Sequence, residues 1–311
     1  MLPKRVTVVE VGPRDGFQME KTLLPSALKV EVIDLLTRAG IRKIEATSFV
    51  NPKVVPQMAD AAEVMTRIRR APDALYSVLV PNVKGAARAV EARANAIRLV
   101  VCATETYNQR NVGMSVAESM ALVPAIVETA RPAGIPVEVV IGVSFGCPFE
   151  GPVAEDRVVD LAKQAAAMGI REISIADSIG IANPAQVRRL VERLRRELPQ
   201  IGFSLHLHDT RGLGLANALA GMEAGIDTFD SGLGGLGGCP IFPGATGNIA
   251  TEDLVNMCEE MGVETGVDLG PVREASRRVQ ESLGRPLPSR VLAVGTREEL
   301  YRRIGKEAVQ P

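Results

Sequence analysis

The segment IGFSLHLHDTRGLGLANALAGMEAGIDTFDS, residues 201–231, contains one full copy of the pattern that decides the fold. Its first part, 201–208, has the composition of a strand. The stretch 214–224 predicts a helix that ends at Gly225, and 228–231 predicts the next strand. Two strands joined through a helix in this way indicate a parallel βαβ unit.

Strand and helix patterns alternate along most of the chain. Strands are predicted at 5–11, 42–47, 75–80, 96–103, 136–143, 172–176, 201–208 and 228–231. Helices are predicted at 25–39, 56–70, 84–92, 116–130, 153–168, 184–198, 214–224 and 251–261. Eight βα units in roughly 250 residues are typical of the TIM barrel, so we predict an α/β fold, the (β/α)8 TIM barrel. The competing doubly wound fold requires a G-x-G-x-x-G turn after the first strand, and the segment 12–16, Gly-Pro-Arg-Asp-Gly, does not match it.

Residues 1–311 are predicted to form a single TIM-barrel domain. The barrel itself covers about 5–264, and a C-terminal helical extension covers about 265–311. The extension has two helical stretches separated by the segment 284–288, Gly-Arg-Pro-Leu-Pro. We expect it to pack on the barrel rather than to form a second domain.

Composition argues against two classes of partner. The net charge is −1, from 36 basic and 37 acidic residues, and aromatic residues make up 3% of the chain with no tryptophan. Nucleic-acid binding needs a basic surface and stacking side chains, so we expect no nucleic-acid partner. No apolar run is long enough to cross a bilayer, and residues 1–5 show no signal or transit pattern, so we expect no membrane partner and a cytoplasmic location. The cysteines are widely spaced without a C-x-x-C motif, which predicts reduced thiols at Cys102, Cys147, Cys239 and Cys258.

His206 and His208 are the two histidines of the whole sequence. In a strand, residues i and i+2 point to the same face, so these imidazoles should project side by side while Leu205 and Leu207 face the opposite, apolar layer. Two converging imidazoles suit a metal ion, and the competing interpretation is a hydrogen-bonded histidine pair at a strand end. The apolar strand, the Asp-Thr that follows and the absence of other histidines favour the metal.

The first strand is followed by a second set of polar residues, Arg14 and Asp15. In TIM barrels the catalytic and binding residues lie at the C-terminal ends of the strands. Asp15 could therefore complete a metal site with the histidines, although it could also be a plain turn residue. Arg14 could stabilise an oxyanion or form a simple ion pair. Glu45, at the end of the second strand, should lie in the barrel mouth with Arg14 as its partner, which indicates a positioning role. Such nitrogen and oxygen donors are compatible with Mg²⁺, Mn²⁺, Zn²⁺ or Fe²⁺.

The glycine-rich segment 232–240 follows the last strand. Its glycines permit close approach to a ligand and movement as a lid. Cys239, between Gly238 and Pro240, could exchange a proton over an open site, or it could be a small buried hydrophobe. Further on, Asn248 could reach the metal or cap the helix that begins at Thr251.

Several of these segments together resemble the 3-hydroxy-3-methylglutaryl-CoA lyase family, within a larger group of metal-dependent TIM-barrel lyases, acyltransferases and carboxyltransferases. The resemblance covers nearly the whole chain and is carried by residues 11–16, 47–50, 55–58, 146–151, 177–180, 206–210, 235–240 and 247–254. The His-x-His-Asp and Arg-Asp segments are shared across the larger group. The cysteine loop and its continuation are specific to the lyase branch.

The resemblance implies a role for each candidate. Mg²⁺ or Mn²⁺ would be held by Asp15, His206, His208 and Asn248. The implied catalytic residues are Arg14, Glu45, Asp177, His206 and Cys239, and the implied substrate-binding residues are Arg14, Gln18, Ser48 and Ser178. Arg14 would stabilise an enolate oxygen, and Cys239 would take part in proton transfer.

The implied substrate is an acyl-CoA. The implied reaction is the retro-Claisen cleavage of 3-hydroxy-3-methylglutaryl-CoA to acetyl-CoA and acetoacetate. Met19 and Ser178 depart from the family pattern, which leaves a 3-alkyl homologue open as the substrate. An acyl-CoA-condensing synthase of the same group and a non-catalytic metal- or acyl-CoA-binding barrel also stay open as functions. The resemblance and the apolar C-terminal helices further predict a homo-oligomer, with a dimer as the expected form.

Overall fold

The computed structural model describes residues 2–238 and 246–307. Eight parallel strands pair in chain order, and β8 pairs with β1 to close the barrel. The strands are β1 (Thr7–Glu10), β2 (Lys43–Ser48), β3 (Leu75–Leu79), β4 (Ala96–Cys102), β5 (Val137–Gly142), β6 (Glu172–Asp177), β7 (Gly202–Leu207) and β8 (Thr228–Ser231). The predicted (β/α)8 TIM barrel is confirmed.

Helices surround this barrel. They are α1 (Ser26–Arg38), α2 (Ala61–Arg67), α3 (Val83–Glu91), α4 (Glu105–Val112), α5 (Val116–Ala130), α6 (Glu155–Ala167), α7 (Pro184–Glu197), α8 (Gly214–Glu223), α9 (Thr251–Glu260), α10 (Leu269–Leu283), α11 (Arg290–Val294) and α12 (Arg297–Glu307). In α1, one face is buried through Val32, Ile33, Leu35 and Leu36. Burial of such a face supplies most of the stability, because isolated helices of this length are marginal in water.

The structure corrects three local predictions. The residues after β4 form the additional helix α4, whose polar sequence has no clear apolar periodicity. The segment 56–70 is a 3-10 turn at Pro56–Met58 followed by the shorter helix α2. The described part of the C-terminal extension has three helices rather than two: the break at 284–288 is present as predicted, and a second break at Gly295, with a φ of +94°, separates α11 from α12.

The inside of the barrel is polar over much of its height. Alternate residues of each strand point inward, and these positions include Glu45, Arg98, Ser174, His206 and Asp230, all of them buried. Branched apolar residues usually fill a TIM barrel. The apolar core of this chain lies instead between the strands and the surrounding helices, which leaves the barrel interior available for charged groups.

The C-terminal helices pack on the outside of the barrel, where α10 lies against α1 and α9. The N–H of Asp268 donates to the carbonyl of Ala39 at 2.7 Å, and Val272, Ala275 and Val279 of α10 are fully buried. The predicted helical extension is confirmed. This packing supports the single-domain organisation, which stays a prediction.

Among the residues that the structure describes, no single helix is long and apolar enough to cross a membrane. One pair of segments, Glu105–Val112 and Val116–Ala133, passes that test jointly by length and composition, with a bend of 57° at the break between them.

Candidate active site

The turn after β1 carries two of the candidate residues. It is a single π-helical turn, Gly12–Gly16, that places the side chains of Arg14 and Asp15 in the mouth of the barrel, where both are buried. Single π turns of this kind are frequent at functional sites. Glycine is required at its first position, since a Cβ on Gly12 would lie 2.6 Å from Oε1 of Glu10 and 2.1 Å from Cδ2 of Leu233.

The two histidines lie side by side at the end of β7, as the strand pattern predicts. Their Nε2 atoms are 3.0 Å apart. Nδ1 of His206 lies 3.0 Å from Oδ2 of Asp230, and donation of its proton to this carboxylate leaves a lone pair on Nε2. This arrangement suits His206 as a metal ligand through Nε2, and its predicted catalytic role stays a prediction.

Asp15 completes a group of three possible ligands. Asp15, His206 and His208 each place a ligand atom within 4.8 Å of the other two. A carboxylate with two imidazoles is a donor set that divalent cations accept. Oδ2 of Asp15 lies 3.9 Å from Nε2 of His208, so the carboxylate and the histidine pair face one place. The residues present thus fit a divalent metal ion.

Asn248 lies at the edge of this group, where it forms an isolated β-bridge with His208. Its Nδ2 donates to Oδ2 of Asp15 at 2.8 Å and to the carbonyl of Leu236 at 3.0 Å. Its Oδ1 is buried and receives no hydrogen bond from the described residues. A buried acceptor without a donor is unfavourable unless a cation or a water completes it, which agrees with the predicted ligand role of Asn248.

Arg14 and Glu45 form the ion pair that the sequence predicts. Nη2 of Arg14 lies 2.7 Å from Oε2 of Glu45, and Nη1 lies 2.6 Å from Oδ1 of Asp15. Burial alone would lower the pKa of Arg14, but the charges of Glu45 and Asp15 raise it instead. The guanidinium is therefore a fixed positive charge beside the possible metal ligands.

The protonation states in this group suit metal binding. Burial would raise the pKa of Asp15, but Arg14, the two histidines and the Asn248 amide lower it to about 2. Burial, together with the neighbouring His206, lowers the pKa of His208 to about 4, although Asp15 opposes the shift. At neutral pH the aspartate is charged and the imidazole is neutral, and metal ligation requires these forms.

Whereas Asp15 is paired with a guanidinium, Asp177, at the end of β6, is hydrogen-bonded to backbone N–H groups. Its two carboxylate oxygens accept hydrogen bonds from the N–H groups of Ile181 and Ala182, each at 2.9 Å. Burial raises the pKa of Asp177 to about 6 in spite of these bonds. The contacts point to an anchor of the turn between β6 and α7, and the catalytic role of Asp177 stays a prediction.

A cavity of about 520 Å³ opens above these residues, within the size range of small-molecule sites. Its walls include Arg14, Asp15, His206 and His208, together with two of the predicted substrate-binding residues, Gln18 and Ser178. Ser48 is fully buried and its Oγ donates at 3.2 Å to the carbonyl of Leu79, a residue of the cavity wall, so its substrate-binding role stays a prediction.

The glycine-rich segment is described as far as Gly238, which lines the cavity. Cys239 lies outside the described residues, so its predicted role in proton transfer stays a prediction. The described start of the segment is tightly held. Oε1 of Glu10 accepts from the N–H of Leu233 at 2.9 Å, and Oε2 of Glu252 accepts from the N–H of Gly234 at 2.8 Å.

Sequence reasoning missed three parts of the site. Asp230, which orients His206, follows the apolar Phe229 in β8. Neighbouring residues of a strand face opposite sides, so this order in the sequence could have indicated that Asp230 points into the barrel. Arg98 is the single charged residue of β4, and a lone charge at an inward position of an apolar strand was a second signal. The helix α4 forms one wall of the cavity through Tyr107 and Arg110, and neither residue belongs to a motif.

Comparisons with known proteins give a consistent result. A family model described as HMGL-like matches residues 5–279. The mitochondrial hydroxymethylglutaryl-CoA lyase of Rattus norvegicus is 43% identical over 290 residues, which covers 93% of this chain and 89% of the rat protein. The cytoplasmic 3-hydroxy-3-methylglutaryl-CoA lyase of Mus musculus is 42% identical, covering 93% of this chain and 84% of the mouse protein. The solved structure of an HMG-CoA lyase from Acinetobacter baumannii in complex with coenzyme A and 3-methylmalate has a TM-score of 0.91 and 45% identity, covering 94% of this chain and 96% of that one.

Proposed function

The chain belongs to the HMGL-like family, and we propose that it cleaves 3-hydroxy-3-methylglutaryl-CoA, or a close 3-alkyl homologue, to acetyl-CoA and a β-keto acid. It is a carbon–carbon lyase of the 3-hydroxy-3-methylglutaryl-CoA lyase type. The observation that carries the proposal is the meeting of Asp15, His206 and His208 with the fixed charge of Arg14 in one cavity. A non-catalytic binding barrel has no need for a buried guanidinium at that place.

The two sides of the site would have different roles, metal binding on one side and stabilisation of negative charge on the other. The side formed by Asp15, His206 and His208, with Asn248 at its edge, would bind the hydroxyl and the distal carboxylate of the acyl chain through a divalent cation. Such a cation, when bound, polarises oxygen atoms and makes a hydroxyl easier to deprotonate. Arg14, held by two carboxylates, faces the same space and would stabilise negative charge on the thioester oxygen.

The bond changes follow from this arrangement. The hydroxyl group of the substrate transfers its proton to a base, and its oxygen forms the carbonyl of the β-keto acid as the bond between its carbon and the neighbouring CH₂ breaks. The electron pair of the broken bond passes to the acetyl thioester as an enolate. Arg14 stabilises the enolate oxygen. The enolate carbon then takes up a proton, and we assign this step to Cys239. In the reverse direction the same groups would serve a condensing synthase, which is the second candidate of this chemistry.

We propose Mg²⁺ or Mn²⁺ as the metal. Two imidazoles, one carboxylate and one amide oxygen leave room for further oxygen ligands from the substrate, an arrangement that these ions accept. The cavity beside them supports binding of an acyl-CoA, and the Acinetobacter baumannii enzyme was solved with coenzyme A.

Two further properties are proposals, the oligomeric state and the location in the cell. We propose a homo-oligomer because Val294, Leu300, Tyr301 and Ile304 expose apolar surface on the C-terminal helices. We propose a cytoplasmic location, which is that of the mouse relative, whereas the rat relative is mitochondrial.

The direct test is an assay of the purified protein with 3-hydroxy-3-methylglutaryl-CoA and Mg²⁺ or Mn²⁺. We expect acetoacetate and acetyl-CoA in equal amounts, and loss of both on addition of a chelator. The 3-ethyl and 3-propyl homologues in parallel reactions identify the preferred acyl substituent. Absence of product from all three thioesters would rule out the lyase proposal, and condensation of acetyl-CoA with a keto acid under the same conditions would favour the synthase.

A further inference from the structure

The barrel interior holds a buried arginine that the proposed reaction does not use. Arg98 extends inward from β4 and its side chain is 2% exposed. Its Nη2 lies 2.6 Å from Oε1 of Glu138 on β5 and 2.9 Å from Oδ2 of Asp230 on β8. Its Nη1 lies 3.6 Å from Oε2 of Glu45 on β2. One guanidinium thus contacts carboxylates from three other strands.

The position of these strands makes the contact unusual. In the closed order of eight strands, β4 and β8 lie four strands apart in either direction, so they face each other across the barrel. A side chain that reaches from Arg98 to Asp230 therefore crosses the barrel axis. Arg98 lines the site cavity, whereas Glu138 lines a separate cavity of about 80 Å³ that begins below it. Arg98 is thus part of the floor of the site.

The contacts of Arg98 lead to both sides of the site. Oδ2 of Asp230 lies 2.9 Å from Arg98 and 3.0 Å from Nδ1 of His206. Oε2 of Glu45 lies 3.6 Å from Arg98 and 2.7 Å from Arg14. Asp230, which orients His206, and Glu45, which pairs with Arg14, therefore both contact the guanidinium of Arg98.

We propose that Arg98 is a positioning residue of the active site, which holds Asp230 against His206 and Glu45 against Arg14 with a single side chain. The proposal rests on the proposed function only where it concerns turnover, because its first consequence is the affinity of the site for a divalent cation. Without Arg98, the Asp230 carboxylate would be buried with an imidazole as its remaining partner. The carboxylate would then no longer be held in place against Nδ1 of His206, and the imidazole would lose its orientation.

A simpler account is that Arg98 and Glu138 form an ordinary buried ion pair that fills the barrel. Their backbones are directly paired between β4 and β5, and they make the shortest contact of the group at 2.6 Å. The two accounts differ in a measurable way. In the ion-pair account, removal of either partner has the same effect, whereas in the positioning account only removal of Arg98 affects the site.

The experiment measures the dissociation constant for Mn²⁺, the thermal midpoint, kcat and KM for a set of variants. We expect Arg98→Met to weaken Mn²⁺ binding by about 10- to 100-fold and to lower kcat, as loss of a group that orients a metal ligand does. Glu138→Gln should bind Mn²⁺ within about twofold of the unmodified protein. Lys29→Met is the matched control, since Lys29 is also a buried cation, paired with Asp60 outside the site; it should lower the thermal midpoint and leave Mn²⁺ affinity unchanged.

Arg98→Lys keeps the experiment decisive if Arg98→Met fails to fold. A lysine retains the charge but not the fork that reaches several carboxylates, so we expect a loss of Mn²⁺ affinity of about three- to tenfold. The double variant Arg98→Lys with Asp230→Asn should lose less Mn²⁺ affinity than the two single losses combined, because Arg98 acts on His206 through Asp230.

Three results would overturn the proposal. They are unchanged Mn²⁺ affinity in Arg98→Lys, an equal loss of Mn²⁺ affinity in Glu138→Gln, and additive effects in the double variant. Mn²⁺ binding without cleavage of any thioester by the unmodified protein would instead count against the proposed function, and the Mn²⁺ comparison among variants would still decide the role of Arg98.

Discussion

Two groups of buried carboxylates at the same end of the barrel are held in opposite ways. The charged cluster consists of Asp15, Glu45 and Asp230 with the guanidinium groups of Arg14 and Arg98. The neutral anchors, a second group, are Glu10 and Glu252, whose described hydrogen-bond partners are backbone N–H groups and hydroxyls. Oε1 of Glu10 accepts from the N–H groups of Gly12 at 2.7 Å and Leu233 at 2.9 Å, and Oε2 accepts from the Thr251 hydroxyl at 2.7 Å.

The difference in partners separates the charge states. Burial would raise the pKa of Asp15, but the neighbouring guanidinium of Arg14 and the other partners lower it to about 2. Burial raises the pKa of Glu10 to about 8 and that of Glu252 to about 7, because their hydrogen bonds only partly oppose it. Burial therefore leaves a carboxylate charged where a cation is present and favours its protonated form where only dipoles are present. Arg14, Asp15, Arg98 and Asp230 of the charged cluster line the cavity, and the neutral anchors hold the start of the glycine-rich segment.

Removal of a cation from the charged cluster should have the largest effect. Arg14→Met leaves Asp15 and Glu45 without their shared partner and removes the group assigned to the enolate oxygen. We expect kcat to fall by about 1,000-fold, in line with loss of a charge-stabilising donor in other active sites. Steady-state kinetics with saturating Mn²⁺ measures this. A kcat within tenfold of the unmodified protein would remove Arg14 from the chemistry.

A Glu→Gln substitution in the charged cluster and another in the neutral anchors test directly whether the two groups differ in charge. Glu45→Gln removes a charge that orients Arg14, and we expect kcat to fall by about 100-fold because a displaced guanidinium no longer faces the reacting oxygen. Glu10→Gln replaces a carboxyl group whose raised pKa favours the protonated form at neutral pH, so we expect kcat within about threefold of the unmodified protein. Equal losses in both variants would show that the two groups do not differ in charge.

A steric change at the edge of the charged cluster should have an intermediate effect. A Cβ on Gly237 would lie 2.5 Å from Nδ2 of Asn248 and 3.1 Å from Oδ2 of Asp15, at a φ of +127°. We expect Gly237→Ala to weaken Mn²⁺ binding by about tenfold. Gly134→Ala is the control, since Gly134 also has a positive φ, +66°, but a Cβ there meets nothing within 4 Å. Equal Mn²⁺ affinity in the two variants would mean that Asn248 and Asp15 are not held as described.

The neutral anchors predict a pH dependence of stability. The pKa of Glu10 is raised from 4.5 to about 8 by burial, so the folded protein keeps a proton that the unfolded chain releases in that window. The free energy of unfolding should therefore decrease as the pH rises from 4.5 to about 8, with a slope from this group of at most about 1.4 kcal/mol per pH unit. In Glu10→Gln the decrease should be shallower, as denaturant titrations of the metal-free protein at several pH values would show. Parallel pH curves for the two proteins would mean that Glu10 is charged in the fold.

The fold was predictable because its signals are local. Each strand and most helices follow from periodicity within one segment, and the closing of eight βα units follows from their number. The helix α4 was missed because its polar sequence has no such periodicity. The histidine pair was predictable for the same local reason, since His206 and His208 are two positions apart on one strand.

The rest of the site depends on contacts that no local pattern contains. Arg98 and Asp230 are 132 positions apart and meet only because the barrel closes and brings β4 opposite β8. The ion pair of Arg14 and Glu45 was predictable from the order of neighbouring strands, whereas contacts across the barrel axis depend on side-chain length and packing. The turn that occupies both oxygens of Asp177 is likewise a property of the folded backbone.

The central claim is that turnover depends on a metal ion held by Asp15, His206 and His208. It is tested most directly by titration of the metal-free protein with Mn²⁺, with bound Mn²⁺ and acetoacetate formation measured in the same samples. The account predicts that turnover rises in proportion to bound Mn²⁺ and saturates at one ion per chain, and that His208→Ala shows neither binding nor turnover. Turnover by the metal-free protein at the rate of the Mn²⁺-loaded protein would contradict it.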